Sequence, residues 1–178
     1  MRSSLDQFVA TVRSAWSPLT SDVVCAARNG LEALARAPGQ EAWLADLLAE
    51  APASEELHRD QDLGFVLLAH TESQGLYRPP HDHGRAWVVY AVPHGEVEMR
   101  TYARIESGEG QVRLVQRDAR IMRAGDAQAY LPGDIHDTRC LSASALLFRF
   151  TERDLRHEGV EGRLTRYPAP RDGWTSGQ

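Results

Sequence analysis

Apolar residues in the first third of the chain recur at helical spacing, whereas those in the remainder alternate or gather in short runs. Leu5, Phe8, Val9, Val12 and Trp16 fall on one stripe, and Val24, Ala27, Leu31 and Leu34 on another, at the three-to-four-residue interval that lines one helix face. Ser4 with Gln7 has capping-box spacing, Pro18 punctuates the first helix, and Pro38-Gly39 ends the second. Trp43, Leu44, Leu47 and Leu48 predict a third. Residues from about 4 to 50 therefore read as a helical layer whose apolar faces pack against something else.

After Pro52 the period changes. Phe65 to Ala69 and Trp87 to Val92 are short apolar runs, and Val97, Met99 and Thr101 alternate with Glu96, Glu98 and Arg100 as a half-buried strand requires. Val112, Leu114 and Ile121, then Ala127, Ala129 and Leu131, then Leu146, Phe148 and Phe150 continue the series. Turn residues at Pro93-His94-Gly95, Ser107 to Gly110, Gly125-Asp126 and Pro132-Gly133 separate these runs at the spacing of a sandwich or barrel. The pattern predicts a β-barrel over about 57–153. A polar, Pro/Gly-punctuated tail follows over 154–178, and its last ten or so residues are expected to be poorly ordered.

The length of 178 residues suffices for one well-buried core, so a single domain over 1–178 is expected. With 42% hydrophobic and 25% charged residues the composition is that of an ordinary globular protein, which excludes disordered and fibrous classes. A formal charge of −5 argues against nucleic acid or an anionic membrane as partner and in favour of a small molecule. Asp6 and the polar residues around it interrupt the apolar stretch a signal peptide needs, and no run is long enough to span a membrane. A cytoplasmic monomer or homodimer is the expectation. Cys25 and Cys140 are too few for a disulfide framework and read as reduced core thiols.

The chemistry concentrates in Gly75-Leu-Tyr-Arg-Pro-Pro-His81-Asp82-His83-Gly84. Residues two apart on a strand share a face, so His81 and His83 can offer both imidazoles to one ion while Asp82 points away. Pro79-Pro80 removes two ladder donors and marks an irregular entry to that strand. A third histidine, His136, follows a Pro132-Gly133 turn and can reach the same ion if a closed barrel brings the two strands together.

These residues resemble the motifs of the cupin superfamily, over about Phe65 to Phe150. Its first motif is a glycine, His-x-His, a glutamate and a glycine, onto which Gly75, His81, His83 and Gly95 fall. Its second is a glycine, Pro-x-Gly and a histidine, matched with altered spacing by Gly125, Pro132-Gly133 and His136. The resemblance implies a mainly β fold, a double-stranded β-helix barrel of the jelly-roll type under an N-terminal helical layer, with His81, His83 and His136 as metal ligands. The motif glutamate is missing, since Trp87 or Val88 occupies its place.

Three neutral imidazoles leave a divalent ion's charge uncompensated and more than one coordination position open, which favours an anionic or chelating ligand. Within cupins this set is similar to that of the thiol dioxygenases, among them cysteine and mercaptopropionate dioxygenases. That resemblance implies Fe(II), with Ni, Zn or Cu as possible occupants of isolated protein, and O2 with a small anionic thiol as substrates. It also implies an arginine on an early strand as carboxylate anchor, a place that Arg59 fills. The Ser-His-Tyr triad of that branch has no counterpart in Leu146 to Thr151.

Tyr90 and Tyr130 are candidate site acids or bases, with Tyr77 and Tyr102 on neighbouring strands. Arg149 lies opposite in phase to Phe148 and Phe150, which leaves it on either a solvated or a pocket face. Asp82 and Asp134 suit either imidazole support or turn stabilisation. His58, His70, His94 and His157 read as surface residues. The alternatives to an Fe(II) dioxygenase are a metal-dependent lyase or isomerase of a small anion, with a tyrosine moving the proton, and a non-catalytic small-molecule-binding barrel.

Overall fold

The computed structural model describes residues 3–106 and 112–169. The turn expected at Ser107 to Gly110 and most of the tail end expected to be poorly ordered lie outside them. Three helices open the chain: α1 (Ser4–Ala15), α2 (Ser21–Ala35) and α3 (Ala42–Glu50). The capping box of α1 is formed by Ser3 and Asp6, one residue ahead of the expected pair, because the carboxylate of Asp6 reaches back to the Ser3 amide. Thr20 caps α2, and α3 stops where Ala51 turns left-handed at φ 45°.

Nine strands follow: β1 (Glu55–Arg59), β2 (Val66–Ser73), β3 (Tyr77–His81), β4 (Val88–His94), β5 (Glu96–Glu106), β6 (Val112–Arg123), β7 (Ala127–Tyr130), β8 (Ile135–Cys140) and β9 (Ser144–Thr151). They form two antiparallel sheets with orders β1-β2-β9-β4-β7 and β3-β8-β5-β6. From β2 onward, successive strands alternate between the sheets in pairs that wind inward from both ends, which is the jelly-roll order of a double-stranded β-helix.

The first sheet has two apolar faces. Leu67, Ala69, Val89, Ala91, Leu146, Phe148 and Phe150 meet the helices, packing with Phe8, Val12, Leu31, Leu34 and Leu44. Phe150 lies 5.9 Å from Phe8 in a T-shaped contact, 5.6 Å from Phe65 and 5.3 Å from Trp87. The other face looks into the barrel, where Val88, Val92, Val97, Met99, Met122, Cys140 and Leu147 close the apolar end. Cys140 is the core thiol expected, but Cys25 is exposed, since its place on α2 turns away from the sheet.

A short fourth helix, α4 (Leu155–Val160), carries the chain back across the barrel mouth. Its fully buried Glu158 accepts from Arg163 Nε and Nη2, each at 2.8 Å, and from the Arg85 amide at 3.1 Å. Gly84 has to be glycine here: its φ is +64°, and a Cβ would stand 2.6 Å from Glu158 Oε2. Beyond this clamp, Tyr167 donates to the Pro80 carbonyl and Asp82 donates to that of Thr165, so residues 165–167 strap the edge of β3.

Candidate metal centre

The three motif histidines converge at one end of the barrel. His81 is the last residue of β3 and pairs in register with His136 of β8. The register slips between Arg78 and His81, where Pro79 and Pro80 offer no donors. His83 is not on a strand. It sits in the turn after β3, and its imidazole is swung onto the same point by that turn. Asp82 points away, as expected, and its Oδ1 accepts from the Gly84 and Thr165 amides at 3.0 and 2.9 Å, which fixes the turn and ties it to the strap.

One nitrogen from each histidine lies within 4.8 Å of the others, and His83 Nε2 is 3.4 Å from His136 Nε2. His81 Nδ1 bonds the Pro79 carbonyl at 2.9 Å, which leaves the Nε2 lone pair for the centre. Burial holds all three imidazoles neutral. It pulls His136 well below the ordinary value and His83 down to about 3, with neighbouring histidines and Arg149 adding to the effect. Burial lowers His81 too, against the pull of its bond to Pro79. Nε2 facing Nε2 across a buried gap, with every ring deprotonated, suits a divalent transition ion. Among the described residues this group contains no carboxylate. Val88, at the place of the motif glutamate, is a buried apolar residue of the barrel interior, and Trp87 faces the helices.

A cavity of about 670 Å³ opens onto the histidines. Tyr90 lines it, with its hydroxyl 3.3 Å from His83 Nε2. Burial raises that hydroxyl above the usual tyrosine value, opposed by the adjacent Arg149 guanidinium, so it stays protonated. Tyr130 plays a different part. Its ring stacks on His136 at 4.1 Å, and its hydroxyl donates to Met99 Sδ at 3.1 Å, away from the cavity.

Arg59 is not brought to this cavity. It stays on the outer strand β1, where Glu56 takes its Nε and Nη2 and Asp154 takes its Nη1 at 3.0 Å. The arginines that line the cavity are Arg78, Arg149, Arg156 and Arg166. Glu72 holds Arg78 at 2.7 Å and Asp154 holds Arg156. Arg149 has no carboxylate partner among the ion pairs of the described residues, and its Nε is buried without a hydrogen bond. The alternation along β9 announced an inside and an outside. Only the packing of Phe148 and Phe150 under the helices puts Arg149 inside.

His70 corrects a further expectation. It lines the cavity from β2, and its Nε2 is buried without a partner, whereas His94 and His157 are exposed. Its two-residue spacing from Leu68 and Glu72 was the signal available in the sequence. Asp134 stabilises its turn by accepting from the Leu131 amide at 2.7 Å and supports no imidazole.

No family model matches the chain, and no curated protein matches it. Among solved structures it is similar to the cupin domain of Schizosaccharomyces pombe Cnp3, with a TM-score of 0.45 and 11% identity over 61% of this chain and 69% of that one. It is also similar to KdgF from Halomonas sp., with a TM-score of 0.43 and 19% identity over 57% of this chain and 78% of that one. A third similarity is to oxalate oxidase in complex with the substrate analogue glycolate, at TM-score 0.43 and 21% identity, where 57% of this chain spans about half, 51%, of the other. These are likenesses of fold alone. The chain's own strand order carries the conclusion: a mainly β, cupin-type double-stranded β-helix under an N-terminal helical layer, with a three-histidine cluster able to hold a metal at its open end.

Proposed function

We propose that the protein is a mononuclear Fe(II) dioxygenase that oxidises a small thiol-bearing acid to its sulfinate. The observation that carries this reading is the donor set among the described residues, three neutral imidazoles, two buried and one half-buried, with no carboxylate, at the base of an arginine-lined cavity. Such a set leaves the charge of a divalent ion to be offset by the ligand itself, and a thiolate does so. The overall change is balanced: RS⁻ + O2 gives RSO2⁻, with sulfur giving up four electrons and both oxygen atoms entering the product. A bound ferrous ion supplies the redox chemistry that brings thiolate and O2 together.

The chain's own residues do the rest. His81, His83 and His136 would hold the ion, and the stacked ring of Tyr130 keeps His136 in place. Tyr90 keeps its proton on Oη and presents it beside His83, where it can donate to a polar atom of the ligand. The Glu72–Arg78 pair and the strap at residues 165–167 narrow the mouth and limit water.

Tyr90 also favours a second reading. A protonated hydroxyl held at a Lewis-acid site is what a metal-dependent lyase or isomerase of a small anion needs. The two separate in an oxygen electrode. Iron-loaded protein is offered cysteine, 3-mercaptopropionate and cysteamine, with sulfinate detected by mass spectrometry. Thiol-dependent O2 uptake with matching sulfinate is expected. No uptake with any thiol in fully iron-loaded protein would transfer the assignment to the lyase reading.

A further inference from the structure

The longest strand of the barrel lies at the end of its sheet. β6 pairs with β5 on one side and with no strand on the other, and along its twelve residues only Met122 is buried. A free edge of this length presents a row of unpaired backbone donors and acceptors, which is a template for another strand. Its side chains are unusually apolar for such a place. Ile105, Val112, Val115 and Ile121, all on the β5–β6 hairpin, are exposed by 39–50%.

A bulge sets which residues of β6 share a face. Thr101 is opposite Asp118 and Tyr102 opposite Gln116, so Arg117 is the extra residue. Leu114 and Ile121 are seven apart and would lie on opposite faces of a regular strand. Because of the bulge, Leu114 stands opposite Arg104 and Ile121 opposite Glu98, both on the face that turns away from Val97 and Met99 in the lumen.

This arrangement is complementary to itself. A second β6 laid antiparallel along the edge, overlapping it from end to end, puts Val112 opposite Arg123 of the other copy and Leu114 opposite its Ile121. The two-fold axis then passes between Arg117 and Asp118, and each faces the other's counterpart. Neither side chain enters an ion pair among the described residues, whereas Arg120 and Arg123 on the same strand are held by Gln128 and Glu96. In this register no arginine of β6 stands directly opposite another. Sliding by one residue in either direction puts Arg117 opposite Arg117 or Asp118 opposite Asp118, which cross-strand pairing disfavours. The bulge is also what lets Leu114 meet Ile121 on the same face in this register.

We infer that β6 is the interface of a two-fold homodimer, in which the free edges of two copies pair antiparallel and join their four-stranded sheets into one. The occupant is a second copy of this chain, selected by two Arg117–Asp118 pairs at the axis and two Leu114–Ile121 contacts flanking them.

Sedimentation equilibrium of the full chain tests this. The wild type should dimerise, and Asp118→Arg or Arg117→Asp alone should weaken self-association roughly 10- to 100-fold, because each replaces two attractive cross-strand pairs by two repulsive ones. An equimolar mixture of the two variants should recover wild-type association, since arginines at 117 and 118 of one copy then face aspartates at 118 and 117 of the other. Ile121→Ser should weaken association roughly 3- to 10-fold. Circular dichroism and metal content of each variant report its fold. Hydrogen exchange of the wild type serves should a variant misfold: amides of β6 should slow as the protein is concentrated, while those of the opposite edge strand β1 should not.

A wild type that stays monomeric at every concentration, including one that captures only an unrelated extended peptide, would overturn the proposal. A dimer indifferent to both charge reversals, or one whose β6 amides exchange at a rate independent of concentration, would place the interface elsewhere. Two monomeric variants that fail to associate when mixed would overturn the register.

Discussion

The two faces of β9 divide the protein into a part that holds it together and a part that does chemistry. Leu146, Phe148 and Phe150 look outward into an apolar core shared with the helices, where aromatic rings touch at 5.2–5.9 Å. Leu147 and Arg149 look inward, and beyond Leu147 the lumen turns from apolar to polar, with three imidazoles, a tyrosine hydroxyl and an unneutralised guanidinium. Each polar group placed inside forgoes apolar burial and adds a desolvation cost, which the outer core must cover. The helical layer thus frees the barrel mouth from contributing to stability.

Exchanging damage between the two faces gives the largest expected effect. Phe150→Ala should destabilise the fold by about 3–5 kcal/mol, as loss of a fully buried phenylalanine does, yet its folded fraction should still bind one metal per chain. His136→Ala should abolish stoichiometric metal binding and lower the urea midpoint of metal-free protein far less. Metal analysis beside urea denaturation reads both. If His136→Ala retained full metal, or if Phe150→Ala lost metal without losing stability, the division would be wrong.

Glu158→Gln tests the hinge between the faces. The glutamine keeps the volume but gives up the charge that holds Arg163, and breaking such a pair should cost about 1–3 kcal/mol. The loss should be local. Hydrogen exchange at the Asp82 and Tyr167 amides should accelerate, while the amides of Leu67 and Phe148 stay protected. Uniform acceleration across the chain would mean that the strap is part of the global fold.

The smallest effect expected is a pH dependence belonging to the inner face. His70 has a folded pKa near 4 against an ordinary value of 6.5. Because the folded value is the lower, the unfolded chain takes up the proton first. Stability is therefore full above pH 6.5 and declines as the pH falls toward 4, by about 1–2 kcal/mol once partial solvation is allowed for. His83, lowered to about 3, adds a loss in the same direction. Urea midpoints of metal-free protein at pH 7.5 and 5 should show this decline, and His70→Gln should reduce it by His70's share while the buried motif histidines keep the remainder. An unchanged slope in His70→Gln would place the titration elsewhere.

Element types were legible from local pattern because helical and strand periods differ, and each predicted run from α1 to β9 is found within a few residues of its place. The exceptions have local causes. Ser3 displaced Ser4 as the cap because Asp6 reaches its amide, and β3 stops at His81, leaving His83 to a turn. The His-x-His and Pro-Gly-x-x-His spacings brought out the three histidines because metal ligation demands particular residue types at particular intervals.

What the sequence by itself determined, then, is which residues share a face: period two assigns Phe148 and Phe150 to one side and Arg149 to the other. Which side is the inside was decided only when the helices, more than a hundred residues earlier in the chain, covered the phenylalanines. Arg59 and His70 exchanged roles for the same reason. Arg59 met Asp154, 95 residues away, and was neutralised, and His70 was carried under Arg149 by the pairing of β2 with β9. Local pattern sets the phase of a strand. The non-local pairing of strands sets the sign of the field each side chain meets.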